Sequence, residues 1–192
     1  FTVFALALLT KPDYALLIGV ALSLILFLWK TMHPRIVRIT NDPELNMFLN
    51  ADVYRKPSCP QILELRPDNC IFFGNAEYTM EQLLGRLDEQ RTPIKFLLLD
   101  FESIPFIDIS GVDELFGLLD ELKARKVEMA FLYVHLPVKK VLESTNFVDM
   151  VGRDRMLEKM GEAIAYLFER LDHDYCRNVC PYKLFHECST VK

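Results

Sequence analysis

The sequence predicts an α/β domain, a mixed β-sheet flanked by helices, preceded by an α-helical transmembrane hairpin. Three observations carry this expectation. Residues 14–29 form a run of sixteen without a charge. From Arg35 onward, short apolar runs alternate with stretches of 3.6-residue period, which favours helices packed on a sheet over a bundle or a sandwich. Charge is also unevenly divided: residues 1–32 hold only Lys11, Asp13 and Lys30, net +1, so the rest of a chain of net charge −5 carries −6. At 192 residues and 51% apolar content, the chain has about one domain's worth of core and is not disordered. Its acidic remainder lacks a Lys/Arg block, which excludes a basic nucleic-acid binder.

The apolar run Tyr14–Trp29 would be about 24 Å long as a helix, slightly short of a ~30 Å hydrocarbon core. Trp29 and Lys30 suit an interface, where the lysine can snorkel. Phe1–Leu9 reads as the end of a second apolar segment, and Lys11-Pro12-Asp13 as the polar turn between the two. A signal peptide fits less well, because it needs a charged start and a small-residue cleavage site. Lys30, Arg35 and Arg38 follow the span, and the positive-inside rule places everything beyond about residue 32 in the cytoplasm. A chain that starts at Phe1 inside an apolar run reads as the C-terminal piece of something longer.

Ile36–Ile39 begins the sheet, with Asn41-Asp42-Pro43 and Arg55-Lys56-Pro57-Ser58 as loops. Gln61–Arg66 and Cys70–Phe73 flank Pro67-Asp68-Asn69 as a hairpin. Asn75 is placed to cap a helix bearing Met80, Leu83, Leu84 and Leu87 on one face. Ile94–Leu99 reads as a strand covered on both faces. Val112, Leu115, Phe116, Leu119 and Leu122 make one helical stripe, with Asp113, Glu114, Asp120, Glu121 and Lys123 opposite. Val127–Val134 is a further buried strand, Pro137 opens a helix ending near Asn146, and Met160, Ala163, Ile164, Leu167, Phe168 and Leu171 mark the last one.

Catalytic motifs are missing. The seven glycines are isolated, without GxGxxG or GxxxxGK, and the histidines form no HExxH. The reading is a non-catalytic protein that needs no cofactor.

One segment carries a sharper signal. Phe106-Ile107-Asp108-Ile109-Ser110-Gly111-Val112-Asp113-Glu114-Leu115 sits at a strand-to-helix turn. Ser110 with Asp113 three residues later is a capping-box arrangement, and Asp108 is placed to close the turn or, alternatively, to offer a carboxylate to a partner. A helix N-terminus favours an anion, so a phosphate on Ser110 would sit in a favourable field.

FIDISGVDEL between a strand and an amphipathic helix resembles the hallmark of the STAS domain, shared by sulfate transporters and anti-sigma factor antagonists. IFFGNAEY (Ile71–Tyr78), with Asn75 and Glu77, resembles the start of the first STAS helix in transporters. LLIGVALSLILFLWKTMHPRIVRI resembles the last membrane helix and exit of SulP-family anion transporters. The resemblance divides the chain into a transmembrane part (1–32), a linker with the first strand (33–58), a cytoplasmic STAS domain (59–175) and a Cys-containing tail (176–192). It implies an integral protein of the cell inner or plasma membrane, in contact with lipid and moving sulfate, bicarbonate or dicarboxylate by secondary active transport. The anion would be bound by helices upstream of this chain, between broken half-helices. The STAS domain would then serve homodimer contacts, folding and regulation, with a regulatory protein on its surface. In the antagonists the serine before the glycine is phosphorylated, a position held here by Ser110, so an antagonist-like switch is the alternative. Ile109 stands where antagonists often carry Ser or Thr, and the long Asn41–Ser58 segment favours the transporter branch. Nucleotide binding near Ser110 and Asn75, proposed for some family members, has no glycine loop to support it.

Cys176, Cys180 and Cys188, with His173 and His186 nearby, have C-x3-C-x7-C spacing. They are the weak alternative to an expectation of no metal, because a paired CxxC is missing. Cys59 and Cys70 have no assignable partner.

Overall fold

A computed structural model describes residues 12–190 of the chain. It divides into two compact units at Pro34 and Arg35. In the first, helix α1 spans Pro12–Met32. Its stretch Asp13–Met32 has a mean hydropathy of 2.1 and is long and apolar enough to cross a membrane. At 1.5 Å per residue, twenty-one helical residues reach about 32 Å, closer to a bilayer core than the sixteen-residue reading allowed. Pro12 and Asp13 belong to this helix and not to a turn: proline tolerates the first helical position, and an acidic first turn suits the dipole. Lys11 and the expected second apolar segment, Phe1–Leu9, lie outside the described residues.

The second unit holds one six-stranded sheet in the order β2-β1-β3-β4-β5-β6. Strands β1 (Ile36–Asp42) and β2 (Met47–Asn50) are antiparallel, and β1 also pairs antiparallel with β3 (Ile62–Pro67). From β3 the sheet runs parallel through β4 (Phe96–Asp100), β5 (Glu128–Leu132) and the short β6 (Met156–Leu157). Helices supply the crossovers that parallel neighbours require. These are α3 (Ala76–Asp88) before β4, α4 (Ile109–Ala124) before β5, and α5 (Leu136–Ser144) with α6 (Phe147–Val151) before β6. A single turn, α2 (Ala51–Tyr54), follows β2, and α7 (Met160–Phe168) and α8 (His173–Asn178) close the chain.

Alternation along the strands sorts side chains into two cores. Leu63, Leu65, Leu97, Leu99, Met129 and Phe131 join Leu83 of α3 and Leu115 of α4 in the larger one. There Phe131 packs edge-to-face on Phe101 and Phe147, with ring centroids 5.0 and 5.8 Å apart. Ile62, Phe96, Leu98, Ala130 and Leu132 face the other way, against Leu167 and Phe168 of α7 and the cysteine-bearing tail.

Three local expectations are overturned. Ile62–Pro67 and Cys70–Phe73 do not form a hairpin. Both edges of β3 are taken by β1 and β4, and Ile71 instead makes a single parallel bridge to Ile107. Asn41 and Asp42 end strand β1 and are not loop. Asn41 Nδ2 donates to the carbonyl of Leu184 at 2.5 Å and Asp42 pairs with Lys56 at 2.8 Å, which offsets part of the cost of burying them, while Asn41 Oδ1 has no hydrogen-bond partner among the described residues. The helix expected to close the chain and to include Leu171, α7, stops at Phe168; Leu171 lies in the turn that follows, and α8 comes after it.

Candidate functional site

Ile71–Asn75 and Ile107–Gly111 come together at the start of α3 and α4. The Ile71 N–H donates to Phe106 O at 3.2 Å, and the Asp108 N–H donates to Ile71 O at 3.3 Å. Asp108 is the residue that joins the two segments. Its Oδ1 accepts the N–H of Gly111 at 2.8 Å, capping α4, and its Oδ2 accepts the N–H of Phe73 at 2.9 Å. The expected capping box on Ser110 is therefore not formed. Ser110 is the second residue of α4 and exposed, while the carboxylate of Asp108 has two acceptor oxygens for two orphan N–H groups.

Gly111 is required by close approach. A Cβ there would stand 2.8 Å from Ile107 Cγ1, 2.9 Å from Ile71 Cγ2 and 3.2 Å from Ile71 O. Asn75 occupies the expected position before α3 but does not cap it. Its buried side chain instead accepts from Phe72 N at 3.0 Å and donates to Cys70 O at 2.9 Å, bracing the loop. Glu77 is exposed in the first turn of α3, where the helix dipole favours a negative charge.

Around this braced turn the surface is apolar. Phe73, Phe106 and Ile109 are 80, 52 and 57% exposed. Chain segments held rigidly by Asp108 and Asn75 thus present large apolar side chains beside the Ser110 hydroxyl. Exposed groups of this kind at a fixed turn suit protein contact.

A polar cluster that runs from buried Glu64 and Asp100 to exposed Glu102, missed by the sequence reading, lies on the α7 face of the sheet. Arg66 Nε and Nη2 contact Asp100 Oδ2 at 2.8 and 2.6 Å, and Arg66 Nη1 contacts Glu102 Oε2 at 2.7 Å. Glu64, two residues earlier on β3, is 4% exposed, and its Oε1 has no hydrogen-bond partner among the described residues. Burial, reinforced by the charge of Asp100 and opposed by Arg66, pushes the Glu64 carboxyl up to about 8. The only hint in the sequence was an acid within the apolar run Ile62-Leu63-Glu64-Leu65.

The tail cysteines gather elsewhere. Cys176, Cys180 and Cys188 line one cavity of about 290 Å³ together with Cys59, a residue the spacing left without a partner. Cys70 lies apart, in the loop braced by Asn75.

The STAS domain family model matches residues 50–163, more than half of the chain. Among curated proteins, Sulfate transporter 1.3 of Arabidopsis thaliana is 27% identical over 161 residues, covering 79% of this chain and 24% of that protein. High affinity sulfate transporter 1 of Stylosanthes hamata is 28% identical over 162 residues, with 80 and 24% coverage. The chain spans about a quarter of the length of these relatives. Among solved structures, the murine Solute Carrier 26 family member A9 anion transporter superposes with a TM-score of 0.72 at 15% identity, over 87% of this chain and 27% of that one. That likeness is one of fold.

Proposed function

The chain belongs to the STAS domain family, and on that premise we propose that it is the C-terminal part of a secondary active transporter of inorganic anions of the sulfate class. The observation that carries this reading is a twenty-one-residue apolar helix standing directly ahead of a STAS sheet in one chain. A free-standing regulatory module has no use for such a helix. The sulfate-transporter names of the curated relatives support it. In this reading α1 is the last membrane span, and the domain from Arg35 onward lies in the cytoplasm. The domain there serves homodimer contact, folding and regulation, and the anion is bound by helices that precede this chain. The span carries no charge between Tyr14 and Trp29, which suits a scaffold helix and not a transport pathway.

The turn at Asp108 is the regulatory surface in this proposal. Ser110 is exposed on the first turn of a sixteen-residue helix, so a phosphate there meets a favourable dipole. It would also place charge among Phe73, Phe106 and Ile109, weakening an apolar contact. An antagonist-like module controlled wholly by Ser110 is the second reading, favoured only by this exposure.

The test uses the protein that carries this chain, expressed in cells lacking sulfate uptake. Labelled-sulfate uptake that disappears when residues 35–190 are deleted, with the protein in the membrane pellet, is the expected result. A protein that stays soluble after lysis, or uptake indifferent to the deletion, overturns the transporter reading.

A further inference from the structure

Four of the chain's five cysteines face one cavity of about 290 Å³. Cys59 lies on the segment leading into β3, Cys176 on α8, Cys180 just past its end, and Cys188 in the 3-10 turn His186–Ser189. Hydrogen bonds fasten the tail over this space. Gln61 Nε2 donates to Asp172 O at 3.0 Å and Gln61 Oε1 accepts from Asp172 N at 2.9 Å, while Asn41 Nδ2 donates to Leu184 O. The folded tail therefore holds the cavity ready-made, as small-molecule sites usually are.

Its walls are apolar. Phe168, Leu171, Leu184 and Phe185 line it, and the four thiols join them as small apolar groups. Burial pushes the Cys59 thiol up to about 12 and raises those of Cys176 and Cys188, which keeps them uncharged at neutral pH. Polar atoms of the wall are paired within the protein: Gln61 also donates to Cys176 Sγ at 3.1 Å, and Cys180 Sγ donates to Tyr182 O at 3.2 Å. No three Cys, His, Asp or Glu groups among the described residues are placed to hold a metal ion, so the thiols serve as wall. Charge enters the lining only through exposed Arg177 and Lys183, with no carboxylate.

We propose that this cavity binds a fatty carboxylate of medium chain length, its chain among the rings and thiols and its head at Lys183. Size sets the chain: an apolar cavity of about 150 Å³ holds benzene, so one of roughly twice that volume has room for about eight to ten carbons. Charge sets the head. Arg177 is paired with Asp174 at 3.1 Å, which leaves Lys183 to supply the net charge of the lining. One positive charge matches a carboxylate better than the double charge of a phosphate monoester.

The experiment uses the full chain in lipid nanodiscs, with decanoate, decanol, acetate and hexadecanoate as probes. The alkylation rate of each cysteine by iodoacetamide, read by peptide mass spectrometry, is the signal. Saturable protection of Cys176, Cys180 and Cys188 by decanoate, with Cys70 unaffected, is the expected result. Decanol protects more weakly, acetate not at all, and hexadecanoate binds no more tightly than decanoate. Lys183→Glu, at an exposed position, weakens decanoate binding by roughly fivefold, the upper end for an exposed ion pair, and leaves decanol unchanged. The proposal fails if no saturable protection is seen, or if Cys70 is protected as strongly as the others. Affinity that climbs steadily with chain length, the mark of partition into lipid, overturns it too. So does a Lys183→Glu chain that binds decanoate as tightly as the parent, or equal protection by decanol and decanoate.

Discussion

Asp108 accepts the backbone N–H of Phe73 across thirty-five positions of sequence, at 2.9 Å, while its other carboxylate oxygen caps α4. One side chain thus sets the helix start and fastens the loop ahead of α3 to it, and the geometry of the exposed apolar turn follows from that double role.

Replacing Asp108 by alanine removes both bonds. The cap alone is worth about 1 kcal/mol, and a second orphaned N–H adds a comparable loss. Denaturant unfolding of Asp108→Ala is expected to show about 2 kcal/mol of destabilisation, and Asp108→Asn about 1 kcal/mol or more, because its single amide oxygen accepts one N–H while its NH2 faces the other.

Ser110→Ala is the contrasting case. Since Ser110 does not cap α4, the change stays within about 0.5 kcal/mol, as for other exposed positions. A loss near 1 kcal/mol, the usual cost of deleting a serine cap, would show that the hydroxyl caps the helix after all.

Two glycines of α4 are expected to respond with opposite sign. At Gly111 an added Cβ meets Ile107, Ile71 and the Ile71 carbonyl, so Gly111→Ala destabilises by about 1–3 kcal/mol through overpacking. At Gly117 nothing stands within 4 Å, and Gly117→Ala stabilises by about 0.5–1 kcal/mol through helix propensity. Thermal unfolding of the two variants side by side checks both signs.

Glu64 makes stability depend on pH in the neutral range. Its carboxyl is raised from 4.5 to about 8 in the folded chain, so between those values the native state holds a proton that the unfolded state releases. Stability is fully retained below the lower value, falls as pH rises through the window, and the loss is complete above the upper one. Glu64→Gln, which keeps the neutral shape, removes this slope and is more stable than the parent at pH 8 by on the order of 4 kcal/mol. Urea midpoints measured from pH 5 to 9 report it; parallel slopes in parent and variant would assign the dependence to other groups.

Strands and helices with strong period were legible in the sequence. The continuous apolar run of β4 and the stripe of α4 stand where expected, because a buried face demands one class of side chain at fixed spacing. β2, β6 and α6 left no such trace: at four, two and five residues they are too short to display a period. The Cys70–Phe73 segment was misread for the same reason, its apolar residues serving a single bridge to Ile107 in place of a hairpin. At the turn, FIDISG marked the right place, yet the capping role belonged to Asp108, since only geometry tells which acceptor reaches Gly111 and Phe73.

Local pattern by itself determined the fold class, the apolar helix ahead of the domain and the position of the braced turn, because hydrophobic period and helix-start chemistry act over a few neighbouring residues. Tertiary structure alone decided that Glu64 is buried without a partner for one of its oxygens, that Asp108 ties two loops together, and that Cys59 shares a cavity with the three tail cysteines. Those facts depend on contacts between segments from thirty-five to well over a hundred residues apart, and spacing along the chain does not encode such distances.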